Sequence, residues 1–177
     1  MADPIKLPSY ILPTFLSIFT VGANSLIARN FSTALVFIKE QEGLRLNAYK
    51  DTGGVWTIGW GSTWNFDLGR SVVQGDTIDK DTAQRWLEMT VSTNGKTIKN
   101  LVKVSINLNQ FNALISLVYN IGAGQKGFAG STLLKYLNAG KDKTIVADQF
   151  LNWKYDNGVI NQSLLNRRKR ERDLFLS

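Results

Sequence analysis

The sequence predicts an α+β fold in which most of the chain is helical and a small lobe is built from short β-hairpins. Between residues 44 and 75, runs of β-branched and aromatic residues alternate with glycines, as in a twisted hairpin sheet. After residue 79, apolar residues recur at helical spacing over most of the remaining chain. A helical segment also precedes the hairpins. We therefore expect a small β lobe and a larger helical lobe with a cleft between them.

The length and composition of the chain fit one domain, or one domain in two lobes. It has 177 residues, of which 44% are hydrophobic and 20% charged, the usual proportions of a globular protein. It contains no Cys and no His, which excludes disulfides, thiolate metal sites and histidine-based catalytic triads. Carboxylates are then the acid–base groups that remain, and we expect neither a metal nor a cofactor.

The formal net charge of +7 indicates an anionic partner. Nucleic acid, anionic lipid and the negatively charged bacterial cell wall all qualify. Charge is the only feature that favours nucleic acid, so we expect no nucleic-acid partner. A basic cluster near the end of the chain is interpreted as a solvated face able to adhere to an anionic envelope surface; it comprises Arg168, Lys169, Arg170 and Arg172.

Residues 1–30 are expected to form an N-terminal extension. The 22 residues from Leu7 to Ala28 carry no charge, which is nearly enough to span a bilayer. Two interpretations remain open, a weak signal-anchor and a packed helix from about Thr14 to Ala28. The prolines and scattered polar residues of this run favour the packed helix.

Residues 31–177 are expected to form the second domain, with a small lobe at about 43–78, a linking helix at about 80–94 and a helical lobe at about 95–177. The predicted helix starts are side chains able to cap a helix N-terminus. The first helix ends where glycine follows a carboxylate. The predicted helix starts are at Ser32, Asp79, Asn107 with Gln110, and Ser131, and the first helix is predicted to stop at Gly43. A further helix is predicted over residues 142–153.

Two carboxylates and a threonine are the candidate catalytic residues. Glu42 ends a predicted helix, Asp51 precedes a Gly-Gly turn, and Thr57 lies in the strand after that turn. Hydrolysis of a glycosidic bond requires two carboxyl groups in unlike environments. Partial burial would keep Glu42 protonated, while the turn amides favour ionised Asp51 and the Thr57 hydroxyl can hold water. Spacing alone leaves open that these are two solvated charges and an ordinary strand threonine.

The sequence around these residues resembles the active-site segment of the phage-type lysozymes (endolysins, glycoside hydrolase family 24). It reads Glu-Gly-Leu-Arg-Leu-x-Ala-Tyr-Lys-Asp and then Gly-Val-Trp-Thr-Ile-Gly-x-Gly. The family pattern of Glu, eight residues, Asp, five residues and Thr falls on Glu42, Asp51 and Thr57. The resemblance implies Glu42 as general acid, with Asp51 and Thr57 placing the attacking water. In this inverting family the two carboxyl groups are expected roughly 6.5–9.5 Å apart.

This resemblance implies an enzyme that lyses the host cell wall. Its substrate would be peptidoglycan, cleaved at the β-1,4 bond between N-acetylmuramic acid and N-acetylglucosamine. We expect a monomer that is made in the host cytoplasm and then reaches the periplasm and the cell wall. Two routes are open, one that depends on a holin and one that uses an N-terminal signal-anchor.

Two further segments resemble parts of the same family. An Arg-Arg-x-x-Glu motif begins at Arg167, and the resemblance implies that Arg167 faces the cleft and pairs with Glu42. That charge orients the acid but also favours its ionised form, opposing the effect of burial. The segment Tyr119-Asn120-Ile121-Gly122 resembles one beside the family's cleft, which implies substrate contacts from Tyr119 and Asn120. A helix C-cap is the alternative role for Asn120.

Two other functions compete with a hydrolytic lysozyme. A lytic transglycosylase also uses one Glu but has no need of a water-placing Asp51 and Thr57, so their presence argues against it. A non-enzymatic protein that permeabilises membranes through its basic C-terminal helix is the other alternative.

Overall fold

The computed structural model describes residues 21–177, with side chains from residue 31 onwards. This part of the chain is mainly helical with small antiparallel strand pairs, which confirms the α+β prediction. The helices are α1 Val21–Glu42, α2 Lys80–Leu101, α3 Leu108–Ile121, α4 Thr132–Asn138, α5 Lys143–Asp148 and α6 Gln162–Leu176, with 3₁₀ turns at Phe128–Gly130 and Gln149–Trp153. The strands are β1 Arg45–Lys50, β2 Trp56–Gly59, β3 Trp64–Asn65, β4 Arg70–Ser71, β5 Tyr155–Asp156 and β6 Val159–Ile160.

Helix α1 is one continuous helix, so the predicted start at Ser32 is wrong. No Gly or Pro interrupts residues 23–42, and the helix therefore continues through Ser32. It ends as predicted, at Gly43, which has a φ of +65° and donates its N–H to the Lys39 carbonyl at 3.3 Å. The first part of the predicted 14–28 helix, and the choice between a packed helix and an anchor, lie outside the described residues.

The chain divides into two compact units, Met1–Ser32 and Thr33–Ser177, and both lobes belong to the second. Within residues 21–177, no helix combines the length and the apolar character needed to cross a membrane.

The small lobe contains two antiparallel hairpins, β1–β2 and β3–β4. Its core is a cluster of Ile58, Val72 and Trp86, of which Trp86 comes from α2. The Trp86 ring also lies 5.8 Å from the ring of Phe66, measured between centroids. Helix α2 therefore contributes one of its own side chains to the core of the small lobe.

Helix α2 begins as predicted, because the Asp79 carboxylate accepts the N–H of Thr82 at 2.7 Å. It then runs to Leu101, beyond the predicted end near residue 94. The reason is its buried stripe, since Gly95 and Ile98 continue the spacing of the earlier buried residues.

Helix α3 is the centre of the helical lobe, and residues 112–118 along it are all buried. The predicted capping box is present: Asn107 accepts from the Gln110 N–H, and the Gln110 side chain accepts from the Asn107 N–H, each at 2.8 Å. Ser131 caps α4 as predicted, by accepting the Leu134 N–H at 3.1 Å. Helix α6 packs along α3. This packing brings the C-terminal arginines next to the middle of the lobe.

The predicted helix over 142–153 is a short helix followed by a 3₁₀ turn. Val146 and Phe150 are buried, while Ile145 is 47% exposed. The hairpin β5–β6 that follows was not predicted. Its turn is Asn157-Gly158 with φ values of 48° and 80°, the conformation that two-residue hairpins favour. An Asn-Gly pair in the sequence is typical of such a hairpin turn.

The small lobe is also held by an ion pair between Arg70 and Asp76. The guanidinium donates to both carboxylate oxygens, at 2.8 and 2.7 Å, and the Val73 N–H donates to the same carboxylate at 3.1 Å. The Arg70 hydrogen bonds, followed by the Val73 N–H, lower the pKa of Asp76 to about 2.

This ion pair predicts an acid-dependent contribution to stability. A carboxyl with a lowered folded-state pKa stabilises the fold above its unfolded pKa of about 3.9, and that stability is lost as pH falls towards the folded value. We expect Asp76→Asn to lower the melting temperature at neutral pH. The difference from wild type should shrink between about pH 4 and pH 2. Thermal unfolding followed across this pH range, with Arg70→Gln as the complementary variant, provides the test. A difference that stays constant with pH would contradict the assignment.

Candidate active site

Glu42 is the last residue of α1, and an arginine from α6 holds its side chain. The Arg167 Nη1 donates to Glu42 Oε1 at 2.8 Å, so the ion pair predicted between these residues is present. The Glu42 side chain is 24% exposed and that of Arg167 is 4% exposed. The carboxyl group thus lies at the edge of solvent, with one oxygen engaged from within the helical lobe.

The other oxygen of Glu42 lies against the backbone of the small lobe. A Cβ atom placed on Gly61 would lie 3.2 Å from Glu42 Oε2, and Gly61 has a φ of +94°. Both the close approach and the positive φ require glycine at this position. The turn after β2 therefore fits directly over the carboxyl group.

Tyr119 connects the two lobes beside this turn. Its hydroxyl donates to the Trp60 carbonyl at 2.6 Å. Burial, and then the nearby Glu42 carboxylate, raise the pKa of Tyr119, so the hydroxyl keeps the proton that it donates. The hydroxyl is thus engaged with the protein backbone. The substrate contact expected of Tyr119 stays a prediction, and in this structure the hydroxyl hydrogen is already donated to the Trp60 carbonyl.

Asp51 lies in the turn between β1 and β2. Its Oδ1 accepts the N–H groups of Gly53 at 2.9 Å and Val55 at 2.8 Å, the turn amides that the sequence predicted. These two donors fix the orientation of the carboxylate. Within the described residues, Oδ2 has no hydrogen-bond partner and is available to another group.

Thr57 is 3% exposed and lies on β2, opposite Tyr49. Its hydroxyl donates to the Val55 carbonyl at 3.1 Å, and the same carbonyl accepts the Asp51 N–H at 3.0 Å. Val55 therefore links the two residues through both of its backbone groups. The structure thus brings the Asp51 N–H and the Thr57 hydroxyl to the same acceptor, the Val55 carbonyl.

Next to Arg167 lies a buried charge cluster that the sequence analysis did not predict. Glu171 Oε1 accepts the Ser116 hydroxyl at 2.6 Å and the Arg167 Nε at 3.1 Å, and Glu171 Oε2 lies 3.1 Å from the Arg168 Nε. Burial raises the pKa of Glu171, and the two guanidinium groups oppose that rise. The three- and four-residue spacings of this Arg-Arg-x-x-Glu motif were the signal for these pairs.

The prediction of a solvated basic face is wrong for Arg168, while Lys169 and Arg170 are exposed as predicted. Arg168 is fully buried, because it pairs with Glu171 inside the lobe. Arg170 pairs with Glu40, and Arg172 pairs with Asp148 at 2.7 Å. Each arginine of this cluster thus has a carboxylate partner.

A cavity of about 550 Å³ lies between the small lobe and the helical lobe. Thr52, the residue after Asp51, reaches it from one side, while Asn120, Trp153 and Tyr155 line it from the other. Asn120 is not the cap of α3, because that position belongs to Gly122, whose N–H donates to the Val118 carbonyl. Among residues 21–177 no group of three or more acidic side chains is arranged to hold a metal.

The chain is similar to known phage proteins over most of its length. The family model for phage lysozyme matches residues 39–171. An endolysin of Salmonella phage P22 is 44% identical over 82% of this chain and 97% of its own length. A SAR-endolysin of Enterobacteria phage P21 is 36% identical over 76% of this chain and 77% of its own.

A solved structure supports the same relationship. The muramidase domain of SpmX from Asticaccaulis excentricus is 30% identical, with a TM-score of 0.69 over 81% of this chain and 95% of that domain. The extent of the family match and the identity to the P22 protein decide the assignment, and the chain belongs to the phage lysozyme family.

Proposed function

We propose that this endolysin hydrolyses the β-1,4 bond between N-acetylmuramic acid and N-acetylglucosamine with inversion, using Glu42 as acid and Asp51 as base. As a phage lysozyme it is a glycoside hydrolase that acts on the peptidoglycan of the cell wall. The observation that carries the proposed roles is the contrast between the two carboxyl groups. One is partly buried and held by a guanidinium, and the other accepts two turn amides.

The contacts of Glu42 assign different tasks to its two oxygens. A guanidinium only donates hydrogen bonds, so the Oε1 that faces Arg167 is the acceptor oxygen. The proton of the acid is then on Oε2, beside Gly61. In the reaction Oε2–H gives this proton to the glycosidic oxygen as the bond from that oxygen to C1 breaks. The bonding electrons move to the leaving oxygen.

Arg167 holds Glu42 in place, but Glu42 is only one of the two carboxylates that face its charge. Its Nε pairs with Glu171 and its Nη2 donates to the Ser116 carbonyl at 3.2 Å. The positive charge is thus shared between two carboxyl groups.

Asp51 and Thr57 supply the other half of the reaction. The Thr57 hydroxyl gives its hydrogen to the Val55 carbonyl, so its oxygen can accept a hydrogen from water. Asp51 Oδ2 accepts the second hydrogen of that water. The water oxygen then attacks C1 on the face opposite the leaving group, and Asp51 takes its proton.

The same chemistry separates this proposal from a lytic transglycosylase, which closes the muramic acid ring without water. The residues that place water, Asp51 and Thr57, favour hydrolysis. The membrane-permeabilising alternative depended on a free basic helix. The burial of Arg168 and the ion pairs of Arg170 and Arg172 reduce that support.

Export and assembly complete the proposal. We propose a monomer that travels from the host cytoplasm to the wall through a holin or by a signal-anchor in residues 1–30. The relationship to a SAR-endolysin supports the second route. Fusion of residues 1–30 to a reporter, followed by membrane fractionation, distinguishes the two routes.

Glu42→Gln tests the role of the acid. Because Gln keeps an acceptor oxygen for Arg167 but has no proton to give, we expect the fold to persist. Release of reducing muramic acid ends should fall by at least about a thousandfold. Glu40→Gln is the matched control, since Glu40 is exposed two positions earlier in the same helix. Near-normal hydrolysis by Glu42→Gln would refute the assignment.

Asp51→Asn tests the base. The amide oxygen still accepts the N–H groups of Gly53 and Val55, so the turn should be retained, while the charge that activates water is lost. We expect turnover of purified peptidoglycan to drop by about a hundredfold or more, with the melting temperature little changed. If this variant turned over peptidoglycan at the wild-type rate, Asp51 would not be the base.

Gly61→Ala tests the close contact over Glu42. The new methyl group would displace the carboxyl group, so we expect at least a roughly tenfold loss of activity beyond any loss of stability. Gly69→Ala is the control, because Gly69 has a φ of +62° but no neighbour within 4 Å of the added atom. Both variants should lose about 1–2 kcal/mol of stability from backbone strain. Equal activities would show that the Gly61 contact does not matter.

A further inference from the structure

Asn120 contacts a buried cation on one side and the cavity on the other. It lies in the last turn of α3, is exposed, and lines the cavity. The Arg168 Nη2 donates to Asn120 Oδ1 at 3.1 Å. Arg168 itself is 0% exposed and comes from α6. A cation thus lies directly beneath an amide that faces the cleft.

This contact decides which way the Asn120 amide faces. A guanidinium has five N–H donors and no acceptor, so the oxygen of the amide must be the atom that faces Arg168. Rotation of the amide would place its NH₂ group against a positive charge. Burial lowers the pKa of Arg168 to about 10, which still leaves it charged at neutral pH. The Arg168 guanidinium also forms an ion pair with Glu171, with 3.1 Å between Arg168 Nε and Glu171 Oε2.

The cavity wall at Asn120 therefore offers hydrogen-bond donors. Within residues 21–177 the Asn120 NH₂ group makes no hydrogen bond. Asn161 also lines this cavity. Its Oδ1 accepts the Leu164 N–H at 3.1 Å, so its NH₂ group is not used in that contact. Asp156, on the β5–β6 hairpin, is a carboxylate elsewhere in the lining.

We propose that Arg168 is a positioning residue that fixes the Asn120 amide with its NH₂ group towards the cavity, so that this wall selects a carbonyl oxygen of the substrate. The proposal rests on peptidoglycan being the substrate. Two of its groups carry such an oxygen, the acetamido group of the sugars and the stem peptide. Thr52 lines the same cavity, so the selected group would bind next to the Asp51 turn.

Asn120→Asp tests the direction of the hydrogen bond. The carboxylate has the shape of the amide and keeps an oxygen towards Arg168, but it presents an acceptor to the cavity in place of a donor. With short soluble peptidoglycan fragments as substrate, we expect KM to rise about tenfold while kcat changes less than about twofold. Asn100→Asp, an equal change of charge at an exposed position of α2, should leave both constants unchanged. An unchanged or lower KM for Asn120→Asp would overturn the proposal.

Arg168→Gln separates positioning from simple stabilisation. Without the guanidinium the Asn120 amide can rotate, so we expect a raised KM. Addition of Asn120→Asp in this background should then raise KM by less than it does in wild type. A role confined to stability would lower the melting temperature and leave the effect of Asn120→Asp undiminished, which would refute the positioning role.

A second measurement needs no change at Arg168. In the Glu42→Gln protein, the side-chain NH₂ signals of Asn120 are identified in a ¹⁵N NMR spectrum as those that Asn120→Asp removes. They should shift when the fragments are added. Backbone shifts around the cavity without any change in these NH₂ signals would overturn the inference.

Fragments with and without stem peptides distinguish the two sources of the carbonyl oxygen. If Asn120→Asp raises KM on both, the group is on the sugar; if only on peptide-bearing fragments, the group is on the peptide. Failure of the underlying function would look different. The wild type would then release no reducing ends, while the NMR measurement on the Glu42→Gln protein would still test the hydrogen bond.

Discussion

The site depends on one buried guanidinium, that of Arg167. It contacts Glu42 at the end of α1, Glu171 one turn further along α6, and the Ser116 carbonyl of α3. A charge this deeply buried is stable only when its donors are paired, so the three helices are held in one arrangement. That arrangement fixes the position of the candidate acid. The packing of the helical lobe and the placement of Glu42 therefore have a common cause.

The small lobe contacts the Glu42 carboxyl group through its backbone. Gly61 lies over Oε2, and the Trp60 carbonyl accepts the Tyr119 hydroxyl. On the far side of the hairpin, Val55 orders both Asp51 and Thr57 through its N–H and its carbonyl. The two halves of the proposed reaction are thus built differently, one on side-chain ion pairs and the other on a tight turn. This contrast fits the different tasks proposed for the two carboxyl groups, proton donation by Glu42 and activation of water by Asp51.

Local signals in the sequence predicted much of this arrangement. The caps at Asp79, Asn107 and Ser131, the stop at Gly43 and the turn amides at Asp51 act over a few residues, and each is present. The failures involved tertiary packing. Arg168 has the pattern of a surface charge in the sequence, and only the packing of α6 on α3 buries it. The Asn-Gly turn of β5–β6 was a local signal that was overlooked.

The most direct test of the central claim is the anomeric configuration of the first-formed reducing end, followed by ¹H NMR during cleavage of soluble peptidoglycan fragments. A water placed by Asp51 and Thr57, opposite the bond protonated by Glu42, predicts that the α-anomer of the muramic acid appears first and then mutarotates. Initial appearance of the β-anomer would mean that the anomeric configuration is retained, with Asp51 as the nucleophile that forms a covalent intermediate. An anhydro end would mean that no water attacks. Either result would contradict the account.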